Sequence, residues 1–283
     1  FVQRCMIDDT SMSEYPDTQQ RYAVCLSLSK DRKEIIKQAK RKIATNFRKQ
    51  VMLAEKKNYP IAYNYYLKEF QKASKMFIEN PIINNQNFNT LFNETETKKM
   101  YSDMYKQTGL RFAKWYADTF RKVAKKELTP SVIEQNMERY ATEKENYLAL
   151  VREVSAVSGV AKSTLKKVLA ELLADETFMS LGEEARVREI MKRLKFKARW
   201  MARRIVRTET TASANFGIQL SASDIYGDEN LVKEWIASDG SRTRDTHRTA
   251  SSQYSNNPIP MNEPYLVGGS KMMFPSDTSL GAR

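Results

Sequence analysis

Histidine, cysteine, glycine and proline are scarce in this sequence, and long apolar runs are missing from it. The 283 residues include 1 His, 2 Cys, 9 Gly and 8 Pro. A stable zinc centre needs about four ligands, so a lone histidine argues against a metal site, and we predict no cofactor. No run of about 18 apolar residues and no basic-then-apolar leader occurs. We therefore expect a soluble chain without a membrane span, a signal peptide or a membrane partner.

The two cysteines, Cys5 and Cys25, lie on either side of a polar stretch that contains Tyr15, Pro16 and Asp17. A turn at this stretch would bring two short segments together, and a disulfide is one interpretation of the pair. In a chain of this size, two cysteines more often remain small buried apolar groups. The sequence therefore favours two free thiols within a short cysteine-bounded segment, residues 1–30.

The scarcity of glycine and proline is greatest in the first two hundred residues, which favours helices there. Apolar and aromatic residues recur at steps of four and three over residues 59–77 and again over 133–154. This spacing predicts two packed helices, although aromatic residues on a basic chain could also stack on single-stranded bases. Residues 80–96 are rich in asparagine and predict a loop. Further helices are predicted over 97–126 and from a cap at Ser163 or Thr164.

Residues 185–207 form a strongly basic segment with ten basic residues and one acidic residue, Glu189. The net charge of the whole chain is +13, which points to an anionic partner such as nucleic acid. In a helix, one side of this segment would be apolar and buried. This predicted apolar set is Val187, Ile190, Met191, Leu194, Ala198, Met201 and Ile205.

Four cations line one flank of that apolar side, and we predict that they bind DNA. They are Arg186, Arg193, Lys197 and Arg204. Such a row can follow a phosphate backbone or a strongly acidic protein surface. The alternative is a solvated helix face with extended arginine side chains.

The only histidine, His247, ends the charged stretch "EWIASDGSRTRDTH", residues 234–247. Arg242 and Arg244 are two residues apart, as same-face positions on a strand would be, and they would suit bidentate pairs with Glu209 or Asp239. Other interpretations are phosphate or partner binding, and a general base formed by His247 with Asp239 or Asp245. We favour a structural ionic network because the sequence has no second histidine and no Gly-rich phosphate loop.

Four elements in succession resemble the phage Mu F-like minor head protein family, also called the phage head-morphogenesis family. They are "RTETTASANFG" at 207–217, a following tryptophan, an Asp-x-x-Arg-x-Arg-x-x-His element and the Pro-x-Asp of "FPSDTSLGA" at 274–282. The matching positions are Arg207, Thr208, Glu209, Asn215, Trp235, Asp239, Arg242, Arg244, His247, Pro275 and Asp277. Our predicted structural network comprises these positions except Thr208, Pro275 and Asp277. The chain stops short of the family's Asn-Cys-Arg-Cys-like ending, so a zinc site at His247 is not supported.

The resemblance implies a structural protein and not an enzyme. It implies a minor head protein in the virion of a tailed phage, acting at the portal in head assembly and in DNA packaging or ejection. Expected partners are the portal protein, other head proteins and double-stranded DNA, with an oligomer on the portal ring as one arrangement. The alternative function is a nuclease or nucleotide-modifying enzyme that uses Asp239, Arg242 and His247.

The predicted fold class is α+β, with a mainly α-helical, elongated N-terminal part and a small α+β C-terminal domain. We predict three regions: the cysteine-bounded segment 1–30, a helical region 31–153, and a head-morphogenesis domain 154–283 that is incomplete at its C-terminus.

Overall fold

The computed structural model describes residues 2–81, 90–124, 135, 148–237, 240–241 and 243–277. Its contacts divide the chain into two compact units, Phe1–Met52 and Leu53–Arg283. The domain boundaries proposed after residues 30 and 153 stay predictions. None of the helices in the described residues combines the length and the apolarity that are needed to cross a membrane.

The first unit contains two short helices, α1 (Val2–Met6) and α2 (Asp9–Glu14), and the first part of a long helix, α3 (Thr18–Glu79). The expectation of free thiols is wrong, because Cys5 and Cys25 form a disulfide that links α1 to α3. The break between α2 and α3 reverses the chain, so the Cα atoms of the two cysteines lie 5.8 Å apart, within the range that a disulfide needs. Arg21 supports the reversal by donating to the carbonyl oxygens of Met6, Tyr15 and Pro16.

The second unit contains the rest of α3 and four further helices before its first strand. They are α4 (Glu94–Ala124), α5 (Leu148–Leu173), α6 (Glu176–Met179) and α7 (Glu183–Tyr226). The helix predicted over 59–77 is confirmed as part of α3, and α4 agrees closely with the helix predicted over 97–126. The seam predicted over 133–154 lies outside the described residues, except for the backbone of the first residues of α5.

The helix start predicted at Ser163 or Thr164 is wrong, because α5 runs through both residues and neither caps a helix. The basic segment 185–207 forms the first part of α7, which continues to Tyr226. Its second half is rich in alanine, serine and threonine, and these small residues let α7 pack closely against α4. A Cβ atom on Gly217 would collide with the carbonyl oxygen of Gly109, so the two helices cross at this pair of glycines.

One continuous core holds the helical part of the second unit together. It combines side chains from α3, α4, α5 and α7, including the fully buried Phe70, Leu165, Leu169, Ile190 and Leu194. Phe92 packs edge-on against Phe70 with ring centroids 5.4 Å apart, in the arrangement that aromatic pairs prefer. The outward-facing side of α7 consequently carries mostly charged residues, together with the exposed Phe196 and Trp200.

The C-terminal part of the second unit has a short 3-10 turn (Asp228–Asn230) followed by small strands and one helix. Strand β1 (Val232–Lys233) pairs antiparallel with β2 (Ile259–Pro260), and β3 (Tyr265–Val267) pairs antiparallel with β4 (Ser270–Met272). Helix α8 (Asp245–Asn256) lies between β1 and β2 in the sequence.

A second, smaller core holds the C-terminal part together. Its buried residues are Trp235, Ala250, Tyr254, Tyr265 and Val267. The predicted α+β fold class is confirmed: the chain is mainly helical and has a few short antiparallel strands near its C-terminal end.

Candidate nucleic-acid interface

Helix α7 has one buried side, and that side matches the predicted apolar set. Ile190, Leu194 and Ala198 are fully inaccessible to solvent, and Met191, Met201 and Ile205 are also buried. Val187 is partly buried against the same core. Burying this side fixes the rotation of α7 about its axis, so the basic residues on the opposite side must face solvent.

Five cations point away from the core at successive turns of α7, and we call them the cationic side. They are Arg188, Lys192, Lys195, Arg199 and Arg203, and all five are exposed. At 100° per residue they fall within about 80° of one another, and they extend over about 22 Å of helix. The predicted DNA-binding residues do not include this group, because they were chosen along the flank of the apolar side. The positions directly opposite the apolar set would have indicated the cationic side.

The charges of the cationic side are largely uncompensated. Arg188 lies 3.7 Å from Glu184, and Lys192 lies 3.5 Å from Glu189, but both are exposed pairs of the kind that contribute little. In the part of the chain that the structure describes, Lys195, Arg199 and Arg203 form no ion pair. The cationic side therefore remains available to an anionic partner.

The four cations that were predicted to bind DNA are not equally accessible to an anionic partner. Lys197 and Arg204 are exposed, whereas Arg186 and Arg193 are partly buried. Arg193 is surrounded by three carboxylates: Glu189 at 3.4 Å, Asp175 at 3.9 Å and Glu171 at 4.0 Å. Two of these acids come from α5 and the cap of α6, so the packing of those segments against α7 neutralises Arg193. Its role in DNA binding stays a prediction.

Two aromatic side chains stand among the exposed cations of α7. Phe196 is 69% exposed and Trp200 is 51% exposed. The guanidinium group of Arg204 lies over the indole ring of Trp200, 5.6 Å from the ring centroid. Beside Phe196 is an open groove of about 460 Å³, with an apolar part from Val187 and Met191. The remaining lining comes from Arg188, Lys192, Lys195 and Arg199 of the cationic side.

The predicted ionic network is divided between two parts of the structure. Glu209 is buried in α7 and accepts a hydrogen bond from the hydroxyl group of Tyr105 in α4. Ser213 reinforces this contact by donating to the carbonyl oxygen of Tyr105 at 2.9 Å. Asn215 donates to the carbonyl oxygen of Thr211 within α7 at 2.8 Å. Glu209 thus joins two helices.

Arg207, at the start of the predicted network, is exposed on α7. Its positive charge acts on the half-buried carboxyl group of Glu55 in α3. Burial raises the pKa of Glu55 above its usual value, and the charge of Arg207 partly opposes that rise.

His247 is partly buried beside the smaller core, and its ring packs against the buried Trp235 with centroids 5.5 Å apart. Partial burial lowers the pKa of His247 below its usual value, and the nearby charge of Arg244 lowers it further. Asp245 does not orient the imidazole but pairs with Arg248 at 3.2 Å. The imidazole is therefore held by an aromatic contact.

Arg244 is exposed at the N-cap position of α8, so the prediction that it lies on a strand is wrong. The chain turns into a helix immediately after Arg244, which removes the two-residue alternation of a strand. Asp239 and Arg242 lie outside the described residues, so their place in the network stays a prediction. Among the described residues, no group of three His, Cys, Asp or Glu residues is placed to hold a metal ion.

Lys233, which is not among the predicted site residues, connects the two ends of the C-terminal part. Its amine donates to the carbonyl oxygen of Met273 at 2.9 Å and lies 4.9 Å from the ring centroid of Tyr265. Burial lowers the pKa of Lys233 to about 8, although Asp277 and Glu263 act in the opposite direction. Asp277 of the Pro-x-Asp element is buried and accepts from the amide of Met273 at 2.9 Å.

No protein-family model matches this chain, and no curated protein or solved structure shows significant similarity to it.

Proposed function

We propose that this chain is a structural protein that binds double-stranded DNA through the cationic side of α7. The observation that carries the proposal is the run of five outward-facing, largely unpaired cations on a helix whose other side is fixed in the core. Duplex DNA carries one charge for about every 1.7 Å of its axis, so a row of about 22 Å lies against many phosphates. Each phosphate that a cation neutralises releases a counterion, and this release favours binding.

The distribution of charge favours an anionic partner over a simple solvated face. Solvated helix faces usually interleave both signs of charge. On the cationic side, by contrast, Lys192, Lys195 and Arg199 follow one another at spacings of three and four residues. Like charges at these spacings destabilise a helix by a few tenths of a kcal/mol per pair. A bound polyanion would remove that cost.

We further propose that the DNA is the genome of a tailed phage and that the chain is a minor head protein of the virion. In this role it joins the portal protein and other head proteins in head assembly and in DNA packaging or ejection. The support is the resemblance of residues 154–283 to the phage head-morphogenesis family. A confined genome would also supply the dense negative charge that the cationic side requires.

The test is duplex binding measured by fluorescence anisotropy over a range of salt concentrations. The triple variant Lys192→Glu, Lys195→Glu and Arg199→Glu should lose at least about tenfold in affinity, and its log–log salt slope should be smaller by about 2.7, which is 0.9 per lost phosphate contact. The control reverses three exposed lysines elsewhere on the same unit, with the same change in net charge: Lys56→Glu, Lys75→Glu and Lys99→Glu.

Equal losses in the two triple variants would contradict a defined interface and would indicate attraction by net charge alone. Cleavage of the duplex by the wild-type chain, abolished by His247→Ala, would instead support the nuclease alternative. Co-purification with a portal ring, tested with the portal protein produced from the same genome, would separate the head-protein role from DNA binding in general.

A further inference from the structure

The cationic side would bind phosphates without any aromatic neighbour, yet two aromatic rings are exposed beside it. Single exposed apolar residues are common and need no explanation. Phe196 and Trp200, however, lie one helical turn apart and are both more than half exposed. Cations lie beside both rings: Arg204 stands over Trp200, and the groove beside Phe196 includes Lys192, Lys195 and Arg199.

The groove beside Phe196 is shallow and open, because all its lining residues belong to the single helix α7, and its volume is about 460 Å³. Its lining combines apolar and cationic side chains, which suits a flat aromatic group with a negative charge attached. Val187, Met191 and the ring of Phe196 supply apolar surface, and the cations of the groove supply partners for phosphate. A nucleotide combines these two chemistries in one unit: a planar base and a phosphate.

The spacing of the two rings distinguishes a single strand from a duplex. Four residues of helix separate Phe196 and Trp200 by about 6 Å along the axis. Bases in a duplex strand repeat at about 3.4 Å and stack on one another, so they cannot also stack on two protein rings at this separation. An extended single strand exposes its bases and can place one on each ring.

We infer that the groove and Trp200 form a binding site for single-stranded nucleic acid, in which bases stack on Phe196 and Trp200 while phosphates contact Lys192, Lys195 and Arg199. This inference rests on the proposed function, because it uses the cationic side as its phosphate contact. Duplex DNA binds the same cations through its backbone alone, so the chain holds single strands more tightly. Arg204, placed over Trp200, orients the indole ring and adds a cation beside it.

Other anionic partners fit this surface less well. A helical peptide that docks on a protein needs a continuous apolar groove at i, i+3, i+4 and i+7 spacing. A helix that lies on a membrane inserts its apolar side into the lipid, but the apolar side of α7 is buried in the protein core. Two exposed rings one helical turn apart, with cations beside them, match stacking on bases.

The experiment compares a 20-nucleotide oligo-dT with a 20-base-pair duplex at the same salt concentration. Replacement of both rings, Phe196→Ala with Trp200→Ala, should weaken oligo-dT binding by at least about 25-fold, or about fivefold for each ring. Duplex binding should change by less than about twofold. Trp200→Phe should retain most of the affinity for oligo-dT, because phenylalanine can still stack. Tyr22→Ala, which removes another exposed aromatic ring, is the matched control and should change neither affinity.

Each other outcome has a distinct meaning. Equal weakening for oligo-dT and duplex would overturn the stacking site but leave the proposed function intact. Unchanged oligo-dT binding in the double variant would also overturn the stacking site. Failure of the wild-type chain to bind either DNA would defeat the proposed function and this inference together. Tighter binding to polyglutamate or to vesicles of anionic lipid, lost in the double variant, would replace nucleic acid with an acidic protein or a membrane.

Discussion

The disulfide between Cys5 and Cys25 should determine whether α1 and α2 stay folded against α3. Both helices are far shorter than the roughly 12–15 residues that an isolated helix needs to be even marginally stable. Neither end of α2 is supported by burial, because none of its residues is buried. Among the described residues, Arg21 of α3 also holds this segment through hydrogen bonds to three carbonyl oxygens.

The size of the effect follows from the length of the loop that the disulfide closes. The two cysteines are 20 positions apart, and a closed loop of this length lowers the chain entropy of the unfolded state by an amount worth about 3 kcal/mol at 25 °C. Replacement of both cysteines, Cys5→Ser with Cys25→Ser, should therefore shift the local opening equilibrium by roughly 100-fold.

Hydrogen exchange followed by mass spectrometry measures this opening directly. Peptides that cover residues 2–14 should exchange up to about 100-fold faster in the double variant, while peptides from α4 and α7 should be unchanged. Wild-type protein treated with a reductant should behave like the variant, which controls for the serine side chains themselves. Equal exchange of residues 2–14 in the oxidised, reduced and substituted proteins would show that the disulfide does not keep α1 and α2 folded.

Three further predictions concern the second unit. Because His247 is the only histidine, its proton NMR titration needs no assignment: its pKa should lie below the usual 6.5 and should rise in Arg244→Ala, which removes a neighbouring positive charge. Because the folded state lowers this pKa, the full contribution of the neutral imidazole to stability is present above pH 6.5 and is lost as the pH falls through the lowered pKa. The melting temperature should therefore fall over this pH range, and His247→Gln should abolish that part of the decrease. Glu209→Ala should lower the free energy of unfolding, measured in urea, by about 1–3 kcal/mol because the hydroxyl group of Tyr105 loses this acceptor. Glu209→Gln can still accept the hydrogen bond and should lower it less. Gly217→Ala should lower the melting temperature through a clash with Gly109 worth about 1–3 kcal/mol, whereas Gly159→Ala, where a Cβ meets nothing, should not.

The buried side of α7 could be predicted because a helix repeats its faces at a fixed interval. Ile190, Leu194 and Ala198 follow this interval and are all fully buried. The ends of the helix could not be predicted in the same way. The segment after Arg207 has few large apolar residues. It is stabilised as a helix because its small residues allow close contact with α4, and this contact depends on both helices and not on the sequence of α7 alone.

The candidate site was only partly predictable, because the availability of a cation depends on which acids are brought near it. Arg193 and Lys197 look equivalent in the sequence, yet α5 and α6 place Glu171 and Asp175 against Arg193 alone. The strand predicted at Arg244 is wrong for a similar reason, whereas the network around His247 stays a prediction. Arg244 lies at a helix start, and nothing in its two-residue spacing from Arg242 distinguishes that position from a strand.

The position of the cationic side on a packed helix has a consequence for binding. A surface made of flexible loops would lose conformational entropy when it bound a nucleic acid, which weakens the complex. α7 has already lost that entropy in folding, because its buried side is fixed by the helical core. In its second half, the ring of Phe216 also packs against the ring of Phe274 in the C-terminal part, with centroids 5.8 Å apart. Binding then orders only the long side chains of the lysines and arginines. In the proposed site, the rigid spacing of cations and rings along α7 would therefore let two stacked bases and their phosphates bind together without a large entropy loss.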